Sequence, residues 1–331
     1  MTSAAEANDR LEDLSGIVLQ PGENPYLALI RACHDNATEI QTLYAVHRTK
    51  RNAQQKAKFL AAAAAAAAGH GGGVGDGGGW QGLVIDQTIL RLERPLTEPG
   101  FRDERNCLVF WARPPDHVVR LAAKLQALLQ ATAPGLWLMP THKMHMTALE
   151  VAFSKTPPEI AALVERLRPA MPDITSYTYR HRTRLVKPMV SHDTSAVAVS
   201  FLPAAGEAKL SPDPADGVAQ HDDFTYHHLR RDLFDKVRDA GLQVESRYQV
   251  PSAHITLGRF LDEADHDTPD KRRRWVSAID EINAWLEREV WDAEDGPFVG
   301  EWLVGQERGL DARAGTLWYG GGRTVLLGEG F

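Results

Sequence analysis

The sequence has little cysteine, no long apolar run and no excess of basic residues. Its 331 residues include two cysteines, Cys33 and Cys107, which are too few for a disulfide framework and do not have a metal-ligand spacing. The longest apolar block is the alanine run at 61–68, far short of the roughly 18 apolar residues of a membrane span. The acidic N-terminus lacks the apolar core of a secretory signal. We therefore expect an intracellular protein, cytoplasmic or nuclear, without a membrane partner.

The charge balance excludes a second class of protein. Asp and Glu total 44 and Lys and Arg total 37, which gives a formal net charge of -7. A protein that grips long duplex nucleic acid needs a generally basic surface, so we do not expect such a partner. A nucleotide or an RNA end could still bind in a local basic pocket. The 43% of hydrophobic residues is enough for a sizeable core.

The chain divides by composition into four parts. Helical periodicity from residue 24 to 60 predicts a helical N-terminal extension over residues 1–60. The alanine- and glycine-rich residues 61–79 cannot bury enough apolar surface to fix one conformation and predict a flexible insertion. Residues 80–104 form a connecting segment, and residues 105–331 have the denser pattern of a folded domain.

Within that domain the order strand, helix, strand, helix occurs twice. This repetition is in the order of elements and not in residue identity, and it predicts an α+β fold with antiparallel pairing. Later segments at 177–190, 301–309 and 316–328 add strand candidates. The two predicted units contain strands at 107–113, 145–151, 196–202 and 253–260, and helices at 115–132, 157–169, 226–241 and 271–290.

Histidine and threonine two positions apart, H-x-T, recur at equivalent points of the two units. The pattern alone is not specific, because it occurs six times. Only the copies at 145 and 254 have an apolar residue between the two and another directly after, giving HMTA and HITL. The six matches are His47 with Thr49, His145 with Thr147, His181 with Thr183, His192 with Thr194, His254 with Thr256, and His266 with Thr268.

Strand geometry explains why the apolar residues next to the histidine and threonine matter. Side chains alternate between faces, so His145 and Thr147 point one way while Met146 points into apolar packing. The same holds for His254 and Thr256. Histidine changes charge near neutral pH, so two imidazoles in opposite protonation states form a general acid and base set. A single histidine in a strand would more often be a partly buried structural residue whose ring nitrogens are hydrogen-bonded.

The paired H-x-T motifs on strands, 109 residues apart, resemble the two-histidine (2H) phosphoesterase superfamily. The resemblance covers roughly residues 105–330, and the flanking sequence resembles fungal members of the RNA ligase/cyclic nucleotide phosphodiesterase-like family. It implies two pseudosymmetric lobes with antiparallel sheets facing a central cleft and helices packed outside. It also implies that His145, Thr147, His254 and Thr256 are catalytic.

The resemblance implies a metal-independent enzyme that hydrolyses a 2',3'-cyclic or related ribose cyclic phosphodiester of a nucleotide or RNA end. Nucleoside 2',3'-cyclic phosphates and ADP-ribose cyclic phosphate are the favoured substrates because the chain is acidic. Two alternatives stay open: a non-catalytic nucleotide- or RNA-binding module, and 2'-5' RNA ligase-like or exonuclease activity at the same site. We expect no cofactor.

A basic, aromatic segment could bind the substrate. If residues 177–187 form a strand, Arg180 and Arg182 share one face and Tyr177 and Tyr179 share the other, where they could steer and stack a nucleotide. A solvated face is an equally good interpretation. Trp318, with Tyr248 and Tyr319, could provide a stacking wall, although aromatic residues in strands are more often core. Arg259 points to the packed face by parity unless its strand is bulged.

Zinc is the main alternative chemistry for a chain with 13 histidines. His142 and His145 would align on a helix but lie on opposite faces of a strand, and the adjacent His227 and His228 cannot face the same way. No third ligand cluster stands out, so we expect no metal site.

Overall fold

The computed structural model describes residues 16–20, 22–62, 80–93, 100–211, 221–293 and 296–331. These contain eight α-helices and nine strands. The helices are α1 (Pro25–Ala32), α2 (Ala37–Leu60), α3 (Gln87–Glu93), α4 (Asp116–Thr132), α5 (Pro157–Leu167), α6 (Met171–Thr175), α7 (Tyr226–Asp239) and α8 (Pro269–Glu289). The strands are β1 (Asn106–Ala112), β2 (Trp137–Leu138), β3 (Met146–Lys155), β4 (Arg184–His192), β5 (Ala196–Pro203), β6 (Ala253–Arg259), β7 (Trp302–Leu303), β8 (Asp311–Gly315) and β9 (Arg323–Leu327).

The nine strands form one antiparallel sheet. Its order is β7-β4-β5-β6-β3-β1-β8-β9, and β2 pairs with β6 beside this path. The prediction of an α+β fold with antiparallel pairing is confirmed, as are the eight elements of the two repeated units, to within a few residues at their ends. No helix within the described ranges is long and apolar enough to cross a membrane.

The N-terminal helices are part of the main hydrophobic core. The predicted helical stretch is two helices, capped by the side chains of Asn24 and Asn36 and separated by the positive φ angles of His34 and Asp35. Side chains of α1 and α2 are buried in the same cluster as those of the sheet. Residues 63–79 of the predicted insertion lie outside the described residues, and the division into four parts stays a prediction.

Helix α2 lies against the strands that lead to the second H-x-T pair. It contacts β4, β5 and α8. The Arg48 Nη1 atom donates to the backbone oxygens of Lys187 and Ser200, and Asn52 Nδ2 donates to that of Val190. An element that composition sets apart as an extension therefore borders the strands of the candidate site.

The prediction of a strand over 177–190 is wrong in its first half. Residues Tyr177–Tyr179 form a 3-10 turn, closed by the Tyr179 amide donating to the Ser176 carbonyl, and β4 begins at Arg184. The Tyr177 hydroxyl donates to Asp232 at 2.8 Å, and its ring stacks on His181. These contacts hold a turn where alternation alone suggested two strand faces.

Two later strand candidates are shorter than predicted. In the segment 301–309 the strand is limited to Trp302–Leu303, and in 316–328 it is limited to Arg323–Leu327. The stretch before β9 turns at glycines: Gly320 and Gly322 have positive φ angles, which glycine tolerates without strain. β8, at Asp311–Gly315, was not among the predicted strands.

Candidate active site

The two H-x-T pairs meet in the middle of the sheet. Met146 of β3 pairs with Ile255 of β6 in antiparallel register. One step to either side of this pair, the register sets His145 opposite Thr256 and His254 opposite Thr147. Met146 and Ile255 are fully buried on one face, whereas all four H-x-T side chains are only partly buried. The alternation predicted for each strand is therefore present.

All four side chains line one small pocket, here called the paired-histidine pocket. Its volume is about 60 Å³. No hydrogen bond of the Thr147 or Thr256 hydroxyl is found within the described parts of the chain, so both can donate to a ligand. The rest of its wall is formed by Cys107, Val109, Trp111, Met139, Glu150, Arg247, Tyr248, Arg259, Leu317 and Trp318.

The ring of His145 is held in one orientation. It stacks on Trp111 with 3.7 Å between ring centroids, and its Nδ1 lies 2.8 Å from the carbonyl oxygen of Lys143. A carbonyl only accepts, so Nδ1 carries the hydrogen and Nε2 of the neutral ring carries the lone pair. Burial lowers the pKa of His145 to about 3, with Arg113 and His254 adding to the effect and the Lys143 carbonyl opposing it.

The ring of His254 is fixed in a parallel way. Its Nδ1 lies 3.0 Å from the Ser252 hydroxyl. The centroids of the Tyr248 and His254 rings are 6.1 Å apart, and the two rings are tilted relative to each other. Burial lowers the pKa of His254 to about 4, and the nearby positive charges of Arg51 and Arg230 lower it further. Both imidazoles are thus neutral at pH 7, so either can accept a proton.

Arg259 reaches the pocket because β6 is bulged. Ala198 pairs with Thr256 whereas Val197 pairs with Gly258, so Leu257 is an extra residue that reverses the parity of the strand. Arg259 therefore lines the paired-histidine pocket instead of the packed face. It pairs with Asp86 at 3.3 Å, and its buried Nε has no hydrogen-bond partner within the described residues.

Trp318 lines the paired-histidine pocket, and its ring is already in contact with arginine. The guanidinium carbons of Arg105 and Arg247 lie 4.2 and 4.3 Å from the ring centroid. Arg247 also forms a bidentate ion pair with the buried Glu150. A base would have to displace one of these groups to stack on Trp318. Tyr248, which lines the same pocket, is a second aromatic surface.

The other four predicted substrate-binding residues do not lie at this pocket. Tyr177 is bound to Asp232 of α7, and Lys236 lies 4.5 Å from its ring. Tyr179 and Arg182 both contact the ring of Phe331 at the C-terminus. Arg180 lies in the turn beside them, and none of the four lines a pocket with His145 or His254.

A larger pocket adjoins the first and is here called the α2 pocket. Its volume is about 180 Å³, and it shares Tyr248, His254, Thr256, Arg259 and Trp318 with the paired-histidine pocket. Helix α2 closes one side of it, and strands β4 to β6 form another. Its further lining residues include Tyr44, His47, Arg48 and Arg51 of α2, Ser191, His192 and Ser200 of the sheet, and Asp193 and Ser195 of the turn between β4 and β5.

Sequence reasoning missed Trp111, Arg247 and the N-terminal helix as contributions to the site, and it placed Arg259 on the packed face unless β6 is bulged. Trp111 and Arg247 had no sequence signal, because neither belongs to an H-x-T motif and only the folded chain brings them to the pocket. The N-terminal helix had none either, since its composition resembles an ordinary amphipathic extension. The bulge did have a signal: Gly258 lies inside β6, and an isolated glycine in a strand suggests a bulge or a close backbone approach.

No group of three or more His, Cys, Asp or Glu side chains close enough to hold a metal ion is found in the described ranges. A scan against models of known protein families finds no match. A search of curated proteins also finds no match. Among solved structures, the crystal structure of TT0787 of Thermus thermophilus is similar at 16% identity and a TM-score of 0.35, over 62% of this chain and 87% of that one. A similarity of this size carries no conclusion about function.

Proposed function

We propose that this protein is a metal-independent phosphoesterase of the 2H type that opens a 2',3'-cyclic or related ribose cyclic phosphate. The observation that carries the proposal is the meeting of His145, Thr147, His254 and Thr256 around one pocket. Two of six H-x-T matches are brought together, and they are the two with apolar framing. The resemblance to the 2H superfamily rests on these same residues.

The reaction would be acid–base catalysis by the two imidazoles. One neutral histidine takes a proton from the attacking water, and the other, as imidazolium, gives a proton to the departing ribose oxygen. The Lys143 carbonyl holds His145 with Nε2 free, and Ser252 holds the Nδ1 side of His254. Because opening of the ring can run in reverse, either histidine can serve as acid or as base.

The phosphate would bind between the two threonines. Thr147 and Thr256 have hydroxyls without partners in the described structure, on the same face as the imidazoles. Donors at this position stabilise the negative charge that grows on the non-bridging oxygens during water attack. Arg259 lines both this pocket and the adjoining α2 pocket.

The bilobal arrangement is part of the proposal. In the sheet order, β3 with β1, β8 and β9 lies on one side of the Met146–Ile255 pair, and β6 with β5, β4 and β7 lies on the other. Each side carries one H-x-T pair. This division supports two related halves that face a substrate between them.

A substrate panel tests the proposal. Nucleoside 2',3'-cyclic phosphates, ADP-ribose cyclic phosphate, 2'-5' linked oligomers and 3'-tailed RNA are each incubated with the protein, with and without EDTA. We expect ring opening of a cyclic phosphate at the same rate in both conditions. Turnover that is lost with EDTA and restored by zinc would contradict metal independence. No turnover on any substrate, with micromolar binding of one, would favour the binding module.

A further inference from the structure

The α2 pocket contains a buried arginine without a carboxylate partner. Arg48 has an exposed fraction of 7%, and no carboxylate of the described residues lies within 4.0 Å of it. The other arginines that line the two pockets are all paired: Arg51 with Asp193 at 2.6 Å, Arg247 with Glu150, and Arg259 with Asp86. A buried positive charge without a carboxylate in ion-pair contact is costly, so Arg48 requires an explanation.

One guanidinium nitrogen of Arg48 has a structural role. Its Nη1 donates to the carbonyl of Lys187 at 2.8 Å and to that of Ser200 at 3.3 Å. Lys187 has a positive φ angle, at a register shift between β4 and β5, so this contact supports an irregular point in the sheet. These carbonyls are neutral. The negative charge of Glu287 acts on Arg48 from beyond ion-pair distance, and the Trp291 ring centroid lies 5.9 Å from the guanidinium carbon, so Arg48 has favourable surroundings but no ion-pair partner.

Two guanidinium nitrogens of the α2 pocket lack a hydrogen-bond partner within the described residues. Within the described residues, Arg48 Nε and Arg259 Nε are buried and unbonded. Both residues line the α2 pocket, one from the helix and one from the bulged end of β6. Guanidinium N–H groups donate only, and phosphate oxygens are the acceptors that they bind best.

The position of the α2 pocket relates it to the candidate active site. His254 and Thr256 line both pockets, and Ser200, whose carbonyl Arg48 contacts, pairs with His254 across the sheet. The paired-histidine pocket is the smaller of the two, about 60 Å³ against about 180 Å³. A nucleotide whose cyclic phosphate lies between the threonines therefore has room to continue toward α2.

We propose that Arg48 and Arg259 bind a second phosphate of the substrate in the α2 pocket. The inference rests on the proposed function and narrows its substrate class to nucleotides that carry a phosphate at the ribose 5' oxygen in addition to the cyclic phosphate. Such a group is a phosphomonoester in a mononucleotide and a phosphodiester in an RNA end. Helix α2 then has a function in substrate selection.

Binding of unreactive probes tests the inference without turnover. Isothermal titration compares adenosine 3'-monophosphate with adenosine 3',5'-bisphosphate, and their 2' isomers in parallel, on the wild-type protein, Arg48→Gln and Lys50→Gln. Lys50 is an exposed residue of α2 and lines neither pocket, so it controls for the loss of one charge. Melting temperatures verify that each variant is folded.

We expect the wild-type protein and Lys50→Gln to bind the bisphosphate at least about tenfold more tightly than the monophosphate, the usual size of a charge-assisted contact. Arg48→Gln should lose this preference while its affinity for the monophosphate stays within about twofold. Equal wild-type affinity for both probes would overturn the inference, whatever the variants do. If Arg48→Gln lowers the affinity for both probes equally, Arg48 has only a structural role.

A dinucleotide probe, ApA with a 3'-phosphate, separates the two sources of the second phosphate. Binding as tight as that of the bisphosphate identifies an RNA end, and weaker binding identifies a mononucleotide; both support the subsite. Because these are binding measurements, failure of the proposed function appears as absent turnover in the substrate panel. If the second phosphate-binding site does not exist, the wild-type protein will bind the bisphosphate no more tightly than the monophosphate.

Discussion

At the scale of single residues, burial and hydrogen bonding set the chemistry of the two histidines. The backbone carbonyl of Lys143 fixes the tautomer of His145, and Trp111 fixes its ring plane. Burial keeps both imidazoles neutral, with pKa values of about 3 for His145 and about 4 for His254. The proposed acid–base catalysis needs one of them protonated, so we expect an anionic substrate to raise the pKa of one imidazole when it binds.

This requirement predicts different pH profiles for free and bound enzyme. Above the folded pKa values the reactive singly protonated state of the free enzyme becomes rarer as pH rises, so kcat/KM should peak below pH 6.5, the ordinary histidine value. The phosphate of a bound substrate favours the imidazolium, so the maximum of kcat should lie at higher pH. Initial rates between pH 4 and 9 give both profiles. A kcat/KM maximum above pH 7.5 would contradict the account.

The threonine hydroxyls give a second prediction at this scale. Thr147→Val keeps the shape of the side chain and removes the donor, so kcat should fall on the order of 10²-fold with a small change in KM. Thr147→Ser should keep most of the activity. Thr183→Val, in an H-x-T match away from both pockets, is the matched control, and its kcat should stay close to wild type. Equal kcat in Thr147→Val and wild type would contradict a catalytic role for the Thr147 hydroxyl.

At the scale of elements, the bulge in β6 decides which side chains reach the pocket. Gly258 allows the carbonyl of Trp137 in β2 to approach, since a Cβ at Gly258 would lie 2.7 Å from that oxygen. The carbonyl of the extra residue, Leu257, accepts from the Met139 amide and from Gln126 Nε2. The bulge is therefore held from outside the strand, and it presents Arg259 beside Thr256.

Substitution of Gly258 tests the role of the bulge. Gly258→Ala forces β2 or the bulge to move, so the free energy of unfolding should fall by about 1–3 kcal/mol. The kcat/KM should fall as well, because Arg259 is displaced. Gly296→Ala is the control, since a Cβ there meets its nearest atoms at 3.4 Å, an ordinary contact. Urea denaturation and steady-state rates measure both effects, and unchanged values for Gly258→Ala would contradict this role.

Element identity could be predicted from sequence where periodicity was strong. The strands with the H-x-T pairs and the helices α4, α5, α7 and α8 have clear patterns, and they form as expected. The turn at Tyr177 could not be predicted, because its hydrogen bond to Asp232 joins residues 55 positions apart. Arg259 was assigned to the wrong face, because parity holds only in an unbulged strand.

At the scale of the whole molecule, one core holds the N-terminal helices and the sheet together. Sequence composition separated residues 1–60 from the rest, but it could not show that Tyr26, Ile40 and Phe59 are buried with the sheet. The four residues of the two H-x-T pairs could be predicted from the sequence. Most of the other residues that line the two pockets could not. Arg48, Trp111 and Arg247 reach it through tertiary packing, which leaves no local pattern.

Buried histidines make the stability of the molecule depend on pH. Burial lowers the pKa of His192 and His266 to about 4 and that of His227 well below 6.5. The unfolded chain binds more protons below pH 6.5, so stability is fully present above that pH and is lost as pH falls toward 4. The slope approaches about 1.4 kcal/mol per pH unit for each histidine.

Urea denaturation at pH 7.5, 6.0 and 5.0 checks this dependence. The free energy of unfolding should decrease at each step, in a range where the ordinary carboxylates remain ionised. His266→Gln keeps a neutral polar side chain in the cluster with Trp275 and should show a smaller pH slope than wild type. A free energy that is constant or rises toward pH 5.0 would contradict the histidine account.

The central claim is that His145 and His254 act together on one phosphate. The most direct test is the turnover of a nucleoside 2',3'-cyclic phosphate by His145→Ala, His254→Ala and the double variant, with His181→Ala as an H-x-T control outside the pocket. Each single substitution should lower kcat on the order of 10²- to 10⁴-fold, and the double variant should lose little more. His181→Ala should match wild type. Wild-type turnover in either His145→Ala or His254→Ala would contradict the claim.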